Sequence, residues 1–483
     1  MHLTMLLDMA VDGFGDRVVV GRRDGGLTPR QLQSLAQGGA RLVTEQKADA
    51  IVYLAVNGPA FPVALFAAAY AGVPLVPVNY RLGAEQLDGI LARHPDALVV
   101  ADAGTGLTPD QFLAAAAQEP ADVVTAEGPA VVIYTSGTTS APKGVLLRHE
   151  NLVSYVFGTV EFAGADEDEA TLMSVPPYHI AGVSNVLSNL YAGRRVVTLP
   201  AFDPGEWLAT VRAERITHAM VVPTMLARIM AGSDDRSVPS LRSLAYGGAA
   251  MPPQVIEAAL RAWPDVDFVN AYGLTETSST VAVLGPAEHR AAIASDDPEV
   301  RARLHSAGRP VPGVEIEIRD DAGAVVAPGT PGRIWIRGEQ VSGEYAGSGS
   351  AVDERGFFDT RDSGRLDAEG YLFVTGRVDD TIIRGGENIA PAEIEDVLLR
   401  HPAVADAAVV GVPDPEWGQR LEAVVVPARD VEPDAEALRT HVRSTLRGSK
   451  TPDRIVFRSE LPRTPTGKLL RREVLAELQG RPG

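Results

Sequence analysis

The chain has 483 residues, with 63 acidic against 44 basic side chains and a formal charge of −19, which argues against a nucleic-acid backbone or an anionic membrane surface as its main partner. A local cluster of donors could still hold a small phosphorylated molecule. Apolar content of 45 % with 22 % charged residues excludes wholesale disorder, and the absence of cysteine removes disulfides, thiolate zinc sites and cysteine nucleophiles together.

Residues 1–17 carry Asp8, Asp12 and Asp16 without a basic n-region, so they do not read as a signal peptide. The apolar stretches 61–70 and 73–78 are too short or interrupted to span a bilayer. A cytoplasmic protein without an integral membrane segment is expected. Aliphatic runs at 50–56, 75–78, 97–101, 130–134, 218–222, 243–246 and 267–270 read as buried strands. Helical periods, as at 61–71 and 253–263, lie between them, which predicts a largely parallel α/β core. Three of these strands run into loops at 135–140, 247–250 and 271–276. Ligands in open α/β sheets sit beyond the carboxyl ends of the strands, so these loops can share one crevice. After about residue 305, strands at 313–320 and 333–338, joined by Asp320-Asp321-Ala322-Gly323, predict a smaller antiparallel unit. Residues 376–380 form a polar hinge candidate. Beyond it, helices at 391–400, 435–446 and 469–478 with strands at 405–412 and 421–426 predict a small α+β domain.

The segment Thr135-Ser136-Gly137-Thr138-Thr139-Ser140-Ala141-Pro142-Lys143-Gly144 gathers hydroxyls, glycines and one Lys after a strand. Glycines let backbone N–H groups face an anion, hydroxyls donate rotatable hydrogen bonds and Lys adds a point charge, which is phosphate-cradling chemistry. It is not a Walker A loop, because Pro142 precedes the Lys and Gly144 follows it. Forty of the basic residues are Arg and only four are Lys, namely Lys47, Lys143, Lys450 and Lys468. A Lys in such a loop is therefore a pointed choice.

Tyr134 to Val145 resembles the signature of the adenylate-forming superfamily of acyl- and aryl-CoA synthetases, adenylation domains and luciferases, with Ser140 where Gly is usual. Asn270-Ala271-Tyr272-Gly273-Leu274-Thr275-Glu276 is similar to the next motif of that family. There the resemblance implies an aromatic ring on adenine, Thr275 by the phosphates and Glu276 holding Mg²⁺. Gly247, Gly248, Ala249 and Ala250 look like the glycine loop between adenine and the acyl pocket. Phe358-Asp359-Thr360-Arg361-Asp362 resembles the ribose-binding motif, with Arg361 in place of the usual Gly. Gly376-Arg377-Val378-Asp379-Asp380 matches the hinge, Asp379 being the pivot and Arg377 reaching ribose or phosphate. Pro465-Thr466-Gly467-Lys468 resembles the motif of the adenylation lysine. Arg384, Gly385 and Gly386 look like the loop lining a pantetheine tunnel, and Lys450 and Arg81 occupy positions near CoA phosphates. His179 matches a position that flanks the carboxylate. The resemblance implies an acyl pocket with His179, Val183, Gly247, Gly248 and Ser278 among its lining.

The implied fold is α/β. A large N-terminal domain, 1–378, would combine α/β subdomains with a small β-barrel-like unit at about 305–375, followed by a mobile C-terminal domain, 379–483. The implied activity is ATP-dependent ligation of a carboxylic acid to CoA through an acyl-adenylate, with Mg²⁺, ATP and CoA. An acyl-AMP ligase loading a carrier-protein phosphopantetheine and a non-catalytic ATP- or acyl-binding module are the alternatives. The apolar pocket motifs favour a hydrophobic monocarboxylic acid. Oligomeric state, a homodimer included, is left open.

Overall fold

Aliphatic runs buried on both faces form the parallel strands of two sheets. The computed structural model describes residues 1–104, 106–118, 128–135, 142–232, 235–385, 387–429, 431–446, 448–464 and 467–480, with Asn388 described by its backbone alone. In one seven-stranded sheet, Leu98–Ala101, Ile51–Leu54, Leu75–Pro77 and Pro129–Thr135 run parallel. Lys143–Arg148 and the short Glu344–Tyr345 and Gly349–Ser350 complete it antiparallel. In the other, Arg195–Thr198, Ala170–Met173, His218–Val221, Ser243–Gly247 and Asp267–Leu274 are parallel, and Ser279–Leu284 and Arg309–Pro310 add antiparallel edges. Helix Ala60–Ala71 is apolar and buried on nearly every side, as a helix in the middle of a large core must be. It packs on helix Pro29–Gln46, which Thr28 and Gln31 open with reciprocal caps.

Three local expectations shift. The strand expected at 267–270 continues to Leu274, because Ser279–Leu284 folds back and pairs Tyr272 with Ala282 and Gly273 with Thr280 across a bulge. Lys143 opens a strand antiparallel to Pro129–Thr135 rather than closing a loop. The Asp320–Gly323 turn closes on Ala324, and residues 324–331 separate it from the strand Gly332–Arg337. Glu315–Arg319 and Gly332–Arg337 do pair antiparallel, and Phe358–Leu366 and Leu372–Arg377 extend them to four strands. At the C-terminal end, Val404–Asp414, Gly418–Pro427 and Arg454–Phe457 form a sheet covered by helices Pro391–Leu399, Ala435–Thr445 and Arg471–Leu478. Its core is separate, built on Ile394, Leu398, Val409, Leu421, Val425 and Leu438. A large α/β domain thus precedes a small α+β one. No helix among the described residues is long and apolar enough to cross a membrane.

The N-terminus is sewn in by Leu3, Leu6 and Leu7, all fully buried, and by a stack of His2 on His149 with ring centroids 3.8 Å apart. The Leu3 N–H donates to His149 Nδ1 at 3.3 Å. Burial, and then the charges of His2 and the terminal amine, push the His149 pKa down to about 4. Its folded pKa lies below the unfolded value, so the unfolded chain binds the extra proton. The stability contributed by neutral His149 is complete above about pH 6.5 and is lost as pH falls towards 4. Urea unfolding between pH 7.5 and 4.5 should show a decline that includes up to about 1.4 kcal/mol per pH unit from this ring. His149→Gln should remove that part of the slope; an identical slope would count against the assignment.

Candidate active site

Where strand Phe358–Leu366 passes the crevice between the sheets, it bulges. Asp359 pairs with Trp335 and Ser363 with Arg333, leaving Thr360, Arg361 and Asp362 opposite the single residue Ile334. Thr360 Oγ1 donates to the Ile334 carbonyl at 2.8 Å and accepts the Asp362 N–H at 3.0 Å. Bulges of this kind re-aim side chains beside functional sites. Here Asp362 turns inward to 7 % exposure. It accepts Tyr272 Oη–H at 2.7 Å on one oxygen and lies 3.0 Å from Arg377 Nε on the other. Burial raises its pKa, opposed first by Arg377, while burial and then Asp362 hold the Tyr272 phenol well above its ordinary value. Tyr272 therefore remains a donor, and the carboxylate keeps lone pairs for a further partner. Arg361 turns outward with φ +58°, a left-handed conformation that costs a non-glycine residue about 1–2 kcal/mol. This backbone is the physical reason glycine suits the position.

The strand Asp267–Leu274 delivers Glu276 in the short 3-10 turn Thr275–Thr277 that follows it. Tyr345 Oη donates to Glu276 Oε1 at 2.9 Å, and the Glu276 carbonyl accepts the Ser342 and Gly343 N–H groups. The other carboxylate oxygen has no partner among the described residues. Lys143 Nζ lies 5.8 Å from the centre of the Tyr345 ring, and Thr135 Oγ1 donates to the Lys143 carbonyl at 3.5 Å. Tyr345 thus links the Lys143 strand to Glu276. Burial and then the Glu276 charge raise its pKa, so it too stays protonated.

Lys468 enters from the small domain. Gly467, at φ +81°, packs so closely on Thr224 that a Cβ there would stand 2.6 Å from the Thr224 hydroxyl. The loop is therefore docked on the start of helix Pro223–Gly232. Lys468 keeps a solvent-facing surface, yet desolvation in the crevice and then the Arg377 charge push its pKa down. Asp380, Asp362 and Glu276 oppose that shift. Residues from five separate stretches of chain thus converge on one charged crevice: Lys143, Glu276, Asp362, Arg377 and Lys468.

His179 stands at the N-cap of helix Ile180–Ala192, half-buried, with Nε2 lacking a partner among the described residues. Burial pushes its pKa down to about 4, leaving a neutral ring at neutral pH. Gly247 lies under the neighbouring strand, where a Cβ would meet the Ala271 carbonyl oxygen at 2.2 Å. Gly248, at φ +83°, turns the chain into Ala249. Ser278, at φ +55°, is buried beside Glu276, and Val183 is fully buried in the main core. Asn270 spends its amide on the Ser306 carbonyl at 2.9 Å.

The candidate CoA residues do not gather with this cluster. Arg384 is held by Asp453 at 2.8 Å, and Gly385 donates its N–H to the Trp417 carbonyl. Lys450 is bound to Glu393 at 2.6 Å. Arg81 instead lines a cavity of about 100 Å³ together with Tyr80, Phe202, Thr224 and Arg228. Neither Arg81 nor Arg228 has an ion-pair partner among the described residues. Ser136, Gly137, Thr138, Thr139 and Gly386 lie outside the described residues, as do Pro465 and Thr466. Tyr345, Thr224 and Arg228 carry no motif of their own. Only the pairing of Tyr345 with Val145, and the docking of Gly467 on Thr224, bring two of them to the site.

Comparison with known proteins places this geometry in context. The "AMP-binding enzyme" family model matches residues 7–346, and the "AMP-binding enzyme C-terminal domain" model matches residues 393–468. Feruloyl-CoA synthase from Amycolatopsis sp. is 36 % identical over 464 residues, covering 92 % of each chain. A fatty acid–[acyl-carrier-protein] ligase from Streptomyces coeruleorubidus is 33 % identical, covering 88 % of this chain and 86 % of that one. O-succinylbenzoate CoA synthetase from Bacillus subtilis, solved with its acyl-adenylate intermediate, superposes with TM-score 0.84 at 28 % identity over 97 % of each chain. The same enzyme solved with ATP and a magnesium ion superposes with TM-score 0.83 at 27 % identity.

The bulge that carries Tyr272 leaves no room beside Gly273, where a Cβ would lie 1.8 Å from the Ser279 carbonyl oxygen. Gly273→Ala should destabilise the chain by about 3 kcal/mol, the upper range for overpacking. Thermal or urea unfolding measures it, and a change under about 0.5 kcal/mol, the scale of a neutral surface substitution, would contradict the register.

Proposed function

The chain belongs to the AMP-binding enzyme family, and on that premise we propose an ATP-dependent carboxylate–CoA ligase that works in two half-reactions on a hydrophobic monocarboxylic acid. In the first, a carboxylate oxygen of the acid attacks the α-phosphorus of ATP; the bond to the β-phosphate bridging oxygen breaks, giving acyl-AMP and pyrophosphate. In the second, the CoA thiol, losing its proton, attacks the acyl carbonyl and AMP leaves. The missing cysteine fits, because the thiol comes from the cosubstrate.

The observation that carries this reading is the docking of the Lys468 loop on Thr224, with the charges of Glu276, Asp362 and Arg377 around the ammonium. A cation fixed there opposes the negative charge that develops at the phosphorus. Asp362, with Tyr272 and Arg377 already fixing its oxygens, would accept from the ribose hydroxyls. The Tyr272 ring would face the adenine, with Asn270, Gly248 and Ala249 around it. Lys143 and Thr135, followed by Ser136, Gly137, Thr138 and Thr139, would hold phosphate oxygens, with Thr275 beside them. Glu276, with one oxygen steadied by Tyr345 and the other without a partner among the described residues, suits a hard cation. Mg²⁺ bound there would neutralise phosphate charge. Neutral His179 would stand by the substrate carboxylate without adding charge.

For the second half-reaction the small domain turns about Asp379. That turn withdraws Lys468 and brings up Gly385 and Gly386. CoA is the acceptor favoured by the family's CoA-ligating relatives, and Arg81, without an ion-pair partner among the described residues, would meet its phosphates. Arg384 and Lys450 would first have to leave Asp453 and Glu393. The acid is read from small and apolar lining near His179 and Gly247–Ala249. A second reading, a dicarboxylic acid, draws on Arg228, whose guanidinium lies over the Phe202 ring, has no ion-pair partner among the described residues and lines the cavity beside Thr224.

Lys468→Ala should slow acyl-adenylate formation about 100-fold or more, on the scale of losing one transition-state donor. It should largely spare thioester formation from a supplied acyl-adenylate, and equal losses in both would refute its role. ATP–pyrophosphate exchange over a panel of acids, followed by mass detection of the thioester, tests the substrate class. Aromatic, alicyclic and fatty monocarboxylates are expected to lead, and a panel led by malonate would overturn that choice in favour of the dicarboxylate.

A further inference from the structure

Arg361 carries a long side chain where the backbone, at φ +58°, favours glycine, so the residue sits under local strain. The bulge aims Asp362 into the crevice and Arg361 out of it. Its Nη1 comes within 3.9 Å of Asp379 Oδ2, the two side chains being 63 % and 40 % exposed. Asp379 and Asp380 follow one another in the 3-10 turn Val378–Asp380, yet they are bound to opposite bodies. Asp380 Oδ2 meets Arg471 Nε at 3.3 Å. Arg471 is anchored inside the small domain by Glu395 at 2.7 Å and by the Val409 carbonyl at 2.8 Å. One hinge carboxylate thus holds the small domain while its neighbour reaches back to the large one. This pairing exists together with the docked lysine loop, Gly467 against Thr224.

We infer that Arg361 is a positioning residue: by pairing with Asp379 it holds the hinge in the lysine-docked arrangement and biases the enzyme towards adenylate formation over thioester formation. The inference rests on the two-half-reaction reading with its turn at Asp379. An exposed pair contributes little to the stability of a whole domain. The hinge is different, because its two arrangements must both be populated in every turnover. A weak interaction present in only one of them shifts such an equilibrium by its full differential, about two- to fivefold for a pair of this kind. Because the pair is open to solvent, salt should weaken it.

The test uses the full chain and single-turnover rates. One rate is acyl-adenylate formation from ATP and acid; the other is thioester formation from supplied acyl-adenylate and CoA. Arg361→Gly removes the guanidinium and relieves the strained backbone, so folding is not at risk. Its ratio of the first rate to the second should fall about two- to fivefold. Arg361→Lys, which keeps the charge, should restore most of the ratio. Added salt should bring the wild-type ratio down towards that of Arg361→Gly and leave the variant's ratio nearly unmoved. A purely structural role would move both rates together, and that result, or an unchanged ratio, overturns the inference. A raised KM for ATP at an unchanged ratio also overturns it and places Arg361 on the nucleotide phosphates. Asp379→Pro, which restricts the hinge dihedral, separates the two levels of failure. If it leaves both half-reactions at wild-type rates, the hinge reading falls and this inference with it. If it blocks thioester formation while Arg361→Gly leaves the ratio intact, only the role of Arg361 falls.

Discussion

Asp362 is the constraint around which the site is organised. A carboxylate this deeply buried is tolerable only when its oxygens find donors, and here they come from two other strands, Tyr272 of Asp267–Leu274 and Arg377 of Leu372–Arg377. Satisfying that one charge pins the four-stranded antiparallel sheet to strand Asp267–Leu274 inside the second seven-stranded sheet. It also places Arg377, the last residue before the 3-10 turn Val378–Asp380, within electrostatic reach of Lys468. The bulge that buries Asp362 necessarily throws its neighbour the other way. Inward carboxylate and outward guanidinium are therefore consequences of the same extra residues in one strand.

Charge is partitioned unevenly over this acidic chain. Many arginines are spent on carboxylates, as Arg195 is on Glu214, Arg319 on Asp353 and Arg463 on Asp406. The four lysines do not share one fate. Lys143 and Lys468 keep ammonium groups without an ion-pair partner among the described residues, both at the crevice. Lys450, which its motif context groups with them, is tied to Glu393, and Lys47 caps a helix in the left-handed conformation. Scarcity alone thus separates two lysines from the rest only once their surroundings are known. In a chain with a charge of −19, these two ammonium groups concentrate positive charge at one place.

The parallel strands were legible because aliphatic runs of four to eight residues, buried on both faces, leave a continuous signal in sequence. Strand ends were less so. Nothing local in Ala271-Tyr272-Gly273-Leu274 distinguishes a loop from a strand whose partner is supplied by Ser279–Leu284 folding back. Tyr345 shows the same limit at the site. It lies in a Gly- and Ser-rich stretch without a motif, and it acquires meaning only by pairing with Val145 and reaching Glu276. Arg384 and Lys450 show the converse: motif positions mark where a cation stands, but not which carboxylate has already claimed it.

Sequence by itself determined the chemistry available to this protein: a hydroxyl-, glycine- and lysine-bearing segment, a Tyr-Gly-x-Thr-Glu run, an Asp among charged neighbours and a Gly-Lys pair near the C-terminal end. These are local properties, set by which donors and acceptors follow one another along the chain. Tertiary structure decided which of them meet. Asp362 and Tyr272 are ninety residues apart, and Thr224 and Gly467 are more than two hundred apart. Their contact depends on sheet register, a bulge and the seating of one domain on another, none of which a local pattern encodes. The same holds for Arg361, a conspicuous residue in sequence whose partner, Asp379, is chosen only by the direction in which the bulge turns it.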